Sequence, residues 1–141
     1  MRWSSVLVLT ALGCLAQDLE SIKAERDPER RSERALDAAE RTLSVSRDNY
    51  AEGDYKKAMA GVNEIREAVD LARDSLVDSH KNPHKSKYFK RAELRLRELA
   101  RHLEEFKRES SVDDRPPIDA LIAHVNEIHD ELLVGILEKK K

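Results

Sequence analysis

The feature that most constrains this chain is a set of four segments in which apolar side chains recur every three or four residues. The clearest apolar stripe consists of Tyr55, Ala58, Val62, Ile65, Val69, Ala72 and Leu76. The segments are separated by Gly53-Asp54, by a loop around Pro83 and by the pair Pro116-Pro117. Gly and Asp favour the end and the start of helices, and Pro cannot continue one. The pattern therefore predicts helices over about 28–52, 54–79, 86–110 and 116–140.

Four amphipathic helices with short connections predict an all-α protein, an antiparallel up-down-up-down four-helix bundle. No such helix can bury its apolar face alone, so each must pack against the others. The composition agrees, with 4% aromatic and 38% charged residues and only four Gly. We expect one domain over residues 28–141, preceded by a charged tether or frayed helix start over residues 17–27.

The connection between the first two helices has a distinct local pattern. The run from Tyr50 through Gly53-Asp54-Tyr55 to Ala58 resembles the interhelix turn of a tetratricopeptide repeat. The likeness covers about ten residues and does not recur at the repeat's interval of about 34 residues. We interpret the run as a helical hairpin turn.

The N-terminus has the layout of a secretory signal peptide. Arg2 precedes the run Val6–Ala16, which has eleven residues without a charge, and Asp18 follows at once. This run is shorter than the about 20 apolar residues of a transmembrane helix. We predict a cleaved signal peptide over residues 1–16, a mature chain that begins near Gln17, and export to a periplasm or to the outside.

Two other interpretations of the N-terminus remain open. The tetrapeptide Ala11-Leu12-Gly13-Cys14 resembles the processing site of bacterial lipoproteins, which implies a lipid anchor on Cys14. The apolar run could also form a buried helix of a cytosolic protein. Because Cys14 is the single cysteine, the chain has no disulfide framework and no zinc or iron–sulfur site built from cysteines.

The sequence carries no catalytic or phosphate-binding motif, and we expect neither an enzyme nor a cofactor or metal. It lacks a Gly-x-Ser-x-Gly nucleophile turn, a Gly-rich phosphate loop and a Glu-x-x-His pair for a di-iron site. His124 and His129 are five residues apart, which places them about 140° apart on a helix. As an alternative, the bundle could carry a ligand or cofactor, such as a haem held by His102 or His129 with Met59.

Charge is distributed unevenly along the chain. The whole sequence has a formal charge of −2, but residues 80–109 hold ten bases and five acids. The densest basic stretch predicts an anion-binding patch that consists of Lys85, Lys87, Lys90, Arg91 and Arg95. In a second interpretation, this helix is simply the basic partner of its acidic neighbours.

These observations predict an exported, non-catalytic binding or structural module whose partner is a protein or an anionic surface. Nucleic acid is disfavoured as a partner because the isoelectric point is near 6.2 and few aromatic residues could stack on bases. A homo-oligomer is compatible with the same pattern. The two alternatives are a ligand-carrying bundle and an anion-binding module that acts through residues 81–95.

Overall fold

The computed structural model describes residues 14–138, and in this range the protein is all-α, as the sequence predicts. A turn of 3₁₀ helix at Val112–Asp114 leads into the last helix. Residues 1–13 of the predicted signal peptide lie outside the described residues. Lys139–Lys141 also lie outside them. The five α-helices are α1 (Cys14–Lys23), α2 (Pro28–Ala51), α3 (Tyr55–Asp78), α4 (Lys87–Glu109) and α5 (Arg115–Leu137).

Short polar side chains fix where the helices begin. The Asp27 carboxylate accepts a hydrogen bond of 3.0 Å from the amide of Glu29, and Pro28 occupies the first position of α2. The Asp54 carboxylate accepts one of 3.2 Å from the amide of Lys57 at the start of α3. Between the end of α2 and the start of α3, Gly53 has a φ of +87° and takes the left-handed conformation. The residues around Gly53 therefore form a tight helical hairpin.

Helices α2 and α3 approach each other unusually closely. A Cβ atom built on Gly61 would lie 1.8 Å from the hydroxyl oxygen of Ser46 and 3.1 Å from its Cβ. A side chain at position 61 would require the Ser46 hydroxyl to rotate away and the two helices to move slightly apart. Most buried residues of the two helices are small, namely Ala35, Ala38, Ala39, Thr42 and Ser46 on α2 and Ala58, Gly61, Ala68, Ala72 and Ser75 on α3.

Helices α4 and α5 form a second hairpin that contributes large apolar side chains to the core. The largest fully buried side chain among them is Phe106. The others are Phe89, Leu96, Leu99, Leu103, Ile118, Leu121, Ile122, Val125, Ile128 and Leu132. Helix α2 lies beside α4, and α3 lies beside α5. The core is therefore enclosed between two hairpins, and the first contributes Leu, Ile and Val side chains beside its small residues.

Ion pairs between the hairpins show how α2 and α4 are oriented. Glu33, near the start of α2, lies 3.0 Å from Arg91, near the start of α4. Near the other end of both helices, Arg47 contacts Glu109. Helices α2 and α4 therefore run in the same direction.

The structure has a fifth helix where the sequence indicates a charged tether or frayed helix start. Leu19 and Ile22 of α1 are buried against α2 and α3. Just after α1, the backbone carbonyl of Glu25 accepts a hydrogen bond of 2.9 Å from Arg31. Two apolar residues three positions apart lie on one face of a helix, which is enough to dock it. The high density of charge in residues 17–27 indicated a tether, but Leu19 and Ile22 are sufficient to hold this segment against the bundle.

Some residues of the predicted apolar stripes are exposed. Val77 at the end of α3 is 62% exposed, and Leu137 at the end of α5 is 68% exposed. Tyr55 is half-exposed and packs at a tilt against Tyr50, with 4.8 Å between the ring centres. Leu76, directly before Val77, is only 1% exposed, so the core reaches the end of α3 and Val77 lies outside the buried face.

We expect Gly61→Leu to destabilise the protein by about 1–3 kcal/mol, because the new side chain must force α2 and α3 apart. The neighbouring Ala60 is exposed, so Ala60→Leu should change the free energy of unfolding by less than about 0.5 kcal/mol. Urea unfolding measures both changes. Equal effects at the two positions would contradict the close approach of the helices.

Candidate functional site

The five predicted basic residues lie along α4 and its preceding loop, and the structure separates them into two groups. Lys85, Lys87 and Lys90 are exposed. Arg91 and Arg95 instead reach across to acidic residues of α2. One group is open to a partner, and the other contributes to holding the helices together.

Arg95 makes the more extensive contacts of the two arginines. Its guanidinium contacts the Asp37 carboxylate at 2.5 Å and the Glu40 carboxylate at 3.0 Å. It also donates a hydrogen bond of 3.4 Å to the backbone carbonyl of Glu33. Its side chain is only 26% exposed. These contacts are of the kind that the second interpretation expects, in which α4 is the basic partner of an acidic neighbour.

The exposed lysines gather at the start of α4. Lys81, Lys85 and Lys87 line one shallow depression together with the Tyr88 ring and Glu29. The Nζ atom of Lys87 lies 5.3 Å from the centre of the Tyr88 ring, within the range of a cation–π contact. We call Lys81, Lys85, Lys87 and Lys90 the lysine cluster.

No residue between positions 14 and 138 forms an ion pair with the lysine cluster, although each of its members is exposed. Four neighbouring ammonium groups repel one another and raise the local positive potential. An anion that binds there gains Coulomb energy without first breaking an ion pair with these described residues.

Two histidines of α5 bind carboxylates on different helices. His124 Nε2 lies 2.6 Å from the Asp70 carboxylate of α3, and His129 Nε2 lies 2.7 Å from the Glu93 carboxylate of α4. The angular offset of about 140° between the two histidines directs them to different neighbours. They therefore fasten α5 to both adjacent helices.

Glu93 is a buried carboxylate that the sequence did not single out. Its side chain is 8% exposed and accepts hydrogen bonds from both His129 and Arg97. Burial raises the pKa of Glu93, but the hydrogen bonds from His129 and Arg97 outweigh burial and hold this pKa below 4.5. The missed signal is the spacing of Glu93 four residues after Phe89, which puts it on the apolar face.

The lowered pKa of Glu93 predicts a dependence of stability on pH. The ionised carboxylate stabilises the fold above pH 4.5, and this contribution is lost as the pH falls through the lower pKa of the folded state. We expect Glu93→Gln to cost about 1–3 kcal/mol at pH 7 and to flatten the loss of stability in acid. Thermal unfolding at several pH values measures both effects.

Glu127→Gln is the matched control, because Glu127 is exposed on α5 and pairs with no base in the described part of the chain. It should leave stability and its pH dependence unchanged. If Glu93→Gln behaves like this control, the buried cluster of Glu93, His129 and Arg97 does not stabilise the fold.

A second concave surface lies between α2 and α4, towards their C-terminal ends. Leu43 and Leu99 contribute apolar lining, and Arg47 spans it to reach Glu109. His102 also lines this groove, so it and His129, the two histidines considered for a haem, belong to different surfaces. The carboxylates around the groove are Glu40, Asp48, Glu98, Glu105 and Glu109. The bundle therefore has an acidic groove on one half and the lysine cluster at the opposite end.

Known relatives, metal ligands and membrane-spanning helices each bear on what the chain can do. Comparison of the chain with protein families, curated proteins and solved structures gives no match in any of the three. Over residues 14–138, no three His, Cys, Asp or Glu side chains are grouped so that they could hold a metal ion. None of the helices in that range is both long and apolar enough to cross a membrane.

Proposed function

We propose that this protein is exported and acts as a non-catalytic binding module, in which four helices alternate up-down-up-down along the chain and α1 docks on the first two. The lysine cluster is its contact with an anionic partner. One observation carries this proposal: Lys81, Lys85 and Lys87 line a common depression, whereas Arg91 and Arg95 of α4 are engaged by α2. The positive charges of the lysine cluster are therefore not paired within the described part of the chain, whereas those of Arg91 and Arg95 are.

The surroundings of the lysine cluster support an interaction of short range. The formal charge of the whole chain is only −2, so the protein has no strong overall attraction for anions. Screening in physiological salt limits the field of surface charges to about 8 Å. A partner must therefore bring several negative charges close to these lysines, as a polyanion or an anionic surface does.

We expect the combined variant Lys85→Gln, Lys87→Gln and Lys90→Gln to lose retention on immobilised heparin at low salt. Its helical signal should not change, because these side chains are exposed and form no ion pair with described residues. Retention of the unmodified protein should weaken as salt shortens the Debye length from about 10 Å at 0.1 M to about 3 Å at 1 M. Chromatography and circular dichroism provide the two readouts.

The matched control removes the same amount of charge elsewhere, with Lys56→Gln, Arg66→Gln and Arg108→Gln. These three bases form no ion pair within residues 14–138 and lie outside the lysine cluster. The control should remain on the column. An unmodified protein that passes straight through at low salt would refute the anionic partner.

The proposal of export depends on Arg2, the run Val6–Ala16 and the charge at Asp18. A cut after Ala16 would shorten α1 at its start and keep both of its buried residues, Leu19 and Ile22. Export is therefore compatible with α1 remaining docked.

Mass spectrometry of the protein isolated from its native host should give Gln17, or a residue within a few positions of it, as the N-terminus. A diacylated Cys14 would favour the lipoprotein interpretation instead. Recovery of the chain with Met1 intact in the cytosol would contradict both.

A further inference from the structure

We propose that the anionic partner of the lysine cluster is the acidic groove of a second copy of this chain. The two copies pair along the seam, the outer surface where α2 and α4 lie side by side, and they run in opposite directions. Each lysine cluster then meets the groove of the other copy in a closed two-fold dimer. This inference rests on the proposed function, because it names the partner of the same lysine cluster.

The lysine cluster and the acidic groove lie at the two ends of this one seam. The depression that the lysines line is formed between Glu29, at the start of α2, and Tyr88, at the start of α4. The acidic groove is formed between the C-terminal halves of the same two helices. Between these two places, Arg91 and Arg95 of α4 form ion pairs with α2. The seam therefore has a basic end, a bridged middle and an acidic end.

Helix geometry puts the basic and acidic ends of α4 on one side. Lys87 and Glu105 are 18 positions apart, which is about five helical turns, and both lie outside the buried face of α4. These 18 positions span about 27 Å along the helix axis. Surface charges act over only about 8 Å in physiological salt. The two ends therefore do not neutralise each other within one molecule.

The charges of the two ends match in number and are opposite in sign. At the basic end, the four members of the lysine cluster accompany one carboxylate, that of Glu29. At the acidic end, the lining residues and their ion-pair network contain six carboxylates but only three guanidinium groups. These groups belong to Asp37, Glu40, Asp48, Glu98, Glu105 and Glu109, and to Arg47, Arg95 and Arg101. An excess of about three positive charges therefore faces an equal negative excess on the second copy.

An exposed leucine lies between the two charged ends. Leu94 is 54% exposed. It lies seven positions after Lys87 and four before Glu98, so the three side chains share one stripe of α4. With Lys87 opposite Glu105 of the second copy, the two-fold axis passes position 96, two positions from Leu94. The Leu94 side chains of the two copies then lie beside the axis and shield each other from water.

The size of the seam also fits a second copy. Helix α4 has 23 residues and is about 34 Å long. Two adjacent helices are about 20 Å wide, so the seam offers about 700 Å² on each copy. Twice this area lies within the range of about 1,200–2,000 Å² that specific interfaces bury. Because each copy brings both surfaces, one encounter forms two identical contacts, which a simple polyanion cannot do.

Analytical ultracentrifugation of the full chain tests the dimer. At about 0.05 M salt we expect twice the chain mass of 16.2 kDa, with a dissociation constant in the micromolar range or tighter. The protein should become monomeric at about 1 M salt, where charges act over only about 3 Å. Heparin in excess should also dissociate the dimer, because it competes for the same lysines. Oligomers larger than two copies would overturn the closed two-fold arrangement.

Two charge-reversal variants test which surfaces meet. Lys87→Glu with Lys90→Glu makes the basic end acidic, and Asp48→Lys with Glu98→Lys makes the groove basic. Each variant alone should be monomeric, because like charges then meet. An equal mixture of the two variants should form dimers again, because both contacts between them join opposite charges. A mixture that stays monomeric would overturn the proposal.

The control for these variants is Lys56→Glu with Arg66→Glu, which makes the same change in charge on α3, away from the seam. It should remain dimeric. The four side chains changed in the two test variants are exposed, so circular dichroism should show an unchanged helical signal.

A separate variant tests the apolar contact. Leu94→Ser should weaken the dimer about tenfold, because two apolar side chains lose their contact at the axis. Val134→Ser is the matched control, since Val134 is 56% exposed on α5. It should leave the dissociation constant within about twofold of the original value. An unchanged dimer in Leu94→Ser would contradict pairing along α4.

The outcomes separate this inference from the proposed function. Retention on heparin that depends on the lysine cluster, by a chain that stays monomeric at low salt, would overturn the dimer and keep an anionic partner. Failure both to bind heparin and to form a dimer would overturn the proposed function as well.

Discussion

The close approach of α2 to α3 at Gly61 and Ser46 is the constraint on which the rest of the bundle depends. The small side chains between α2 and α3 let the two helices lie close together, and Ile65, Val69 and Leu76 of α3 still reach the core. The second hairpin adds the two buried Phe residues and most of the buried Leu residues. The two hairpins therefore contribute unequally to one shared core.

Helix α4 serves three purposes with three sets of residues. Its apolar face fills the core, Arg91 and Arg95 bind α2, and the lysines at its start face solvent. The choice of residue type matches each purpose. Arginine has a planar group that binds two carboxylates at once, as Arg95 does, whereas lysine on a flexible stem suits a mobile or irregular anionic surface. A charge count alone would treat all five positions as one patch.

The sequence was informative where one local rule decides the outcome. Gly53 and Pro83 lie at helix junctions, and the stripe from Phe89 to Phe106 is buried, because turn chemistry and periodicity act over a few residues. The sequence was uninformative where the residue that a side chain contacts lies far along the chain. The contact of Glu93 with His129 and the docking of Leu19 depend on which helices become neighbours, and a stripe does not specify its neighbour. For the candidate site, the sequence located the basic stretch, but only the positions of Asp37 and Glu40 separate its arginines from its lysines.

The parallel seam between α2 and α4 has a consequence for how the molecule comes apart. Within each hairpin a short connection and a continuous apolar contact hold the two helices together, whereas across this seam charged side chains carry much of the contact. Helix α1 packs against α2 and α3 of the first hairpin. Strong salt or acid weakens ion pairs more than apolar packing. The edge between α2 and α4 should therefore loosen locally, while the apolar core that α2, α3, α4 and α5 enclose keeps the two hairpins together.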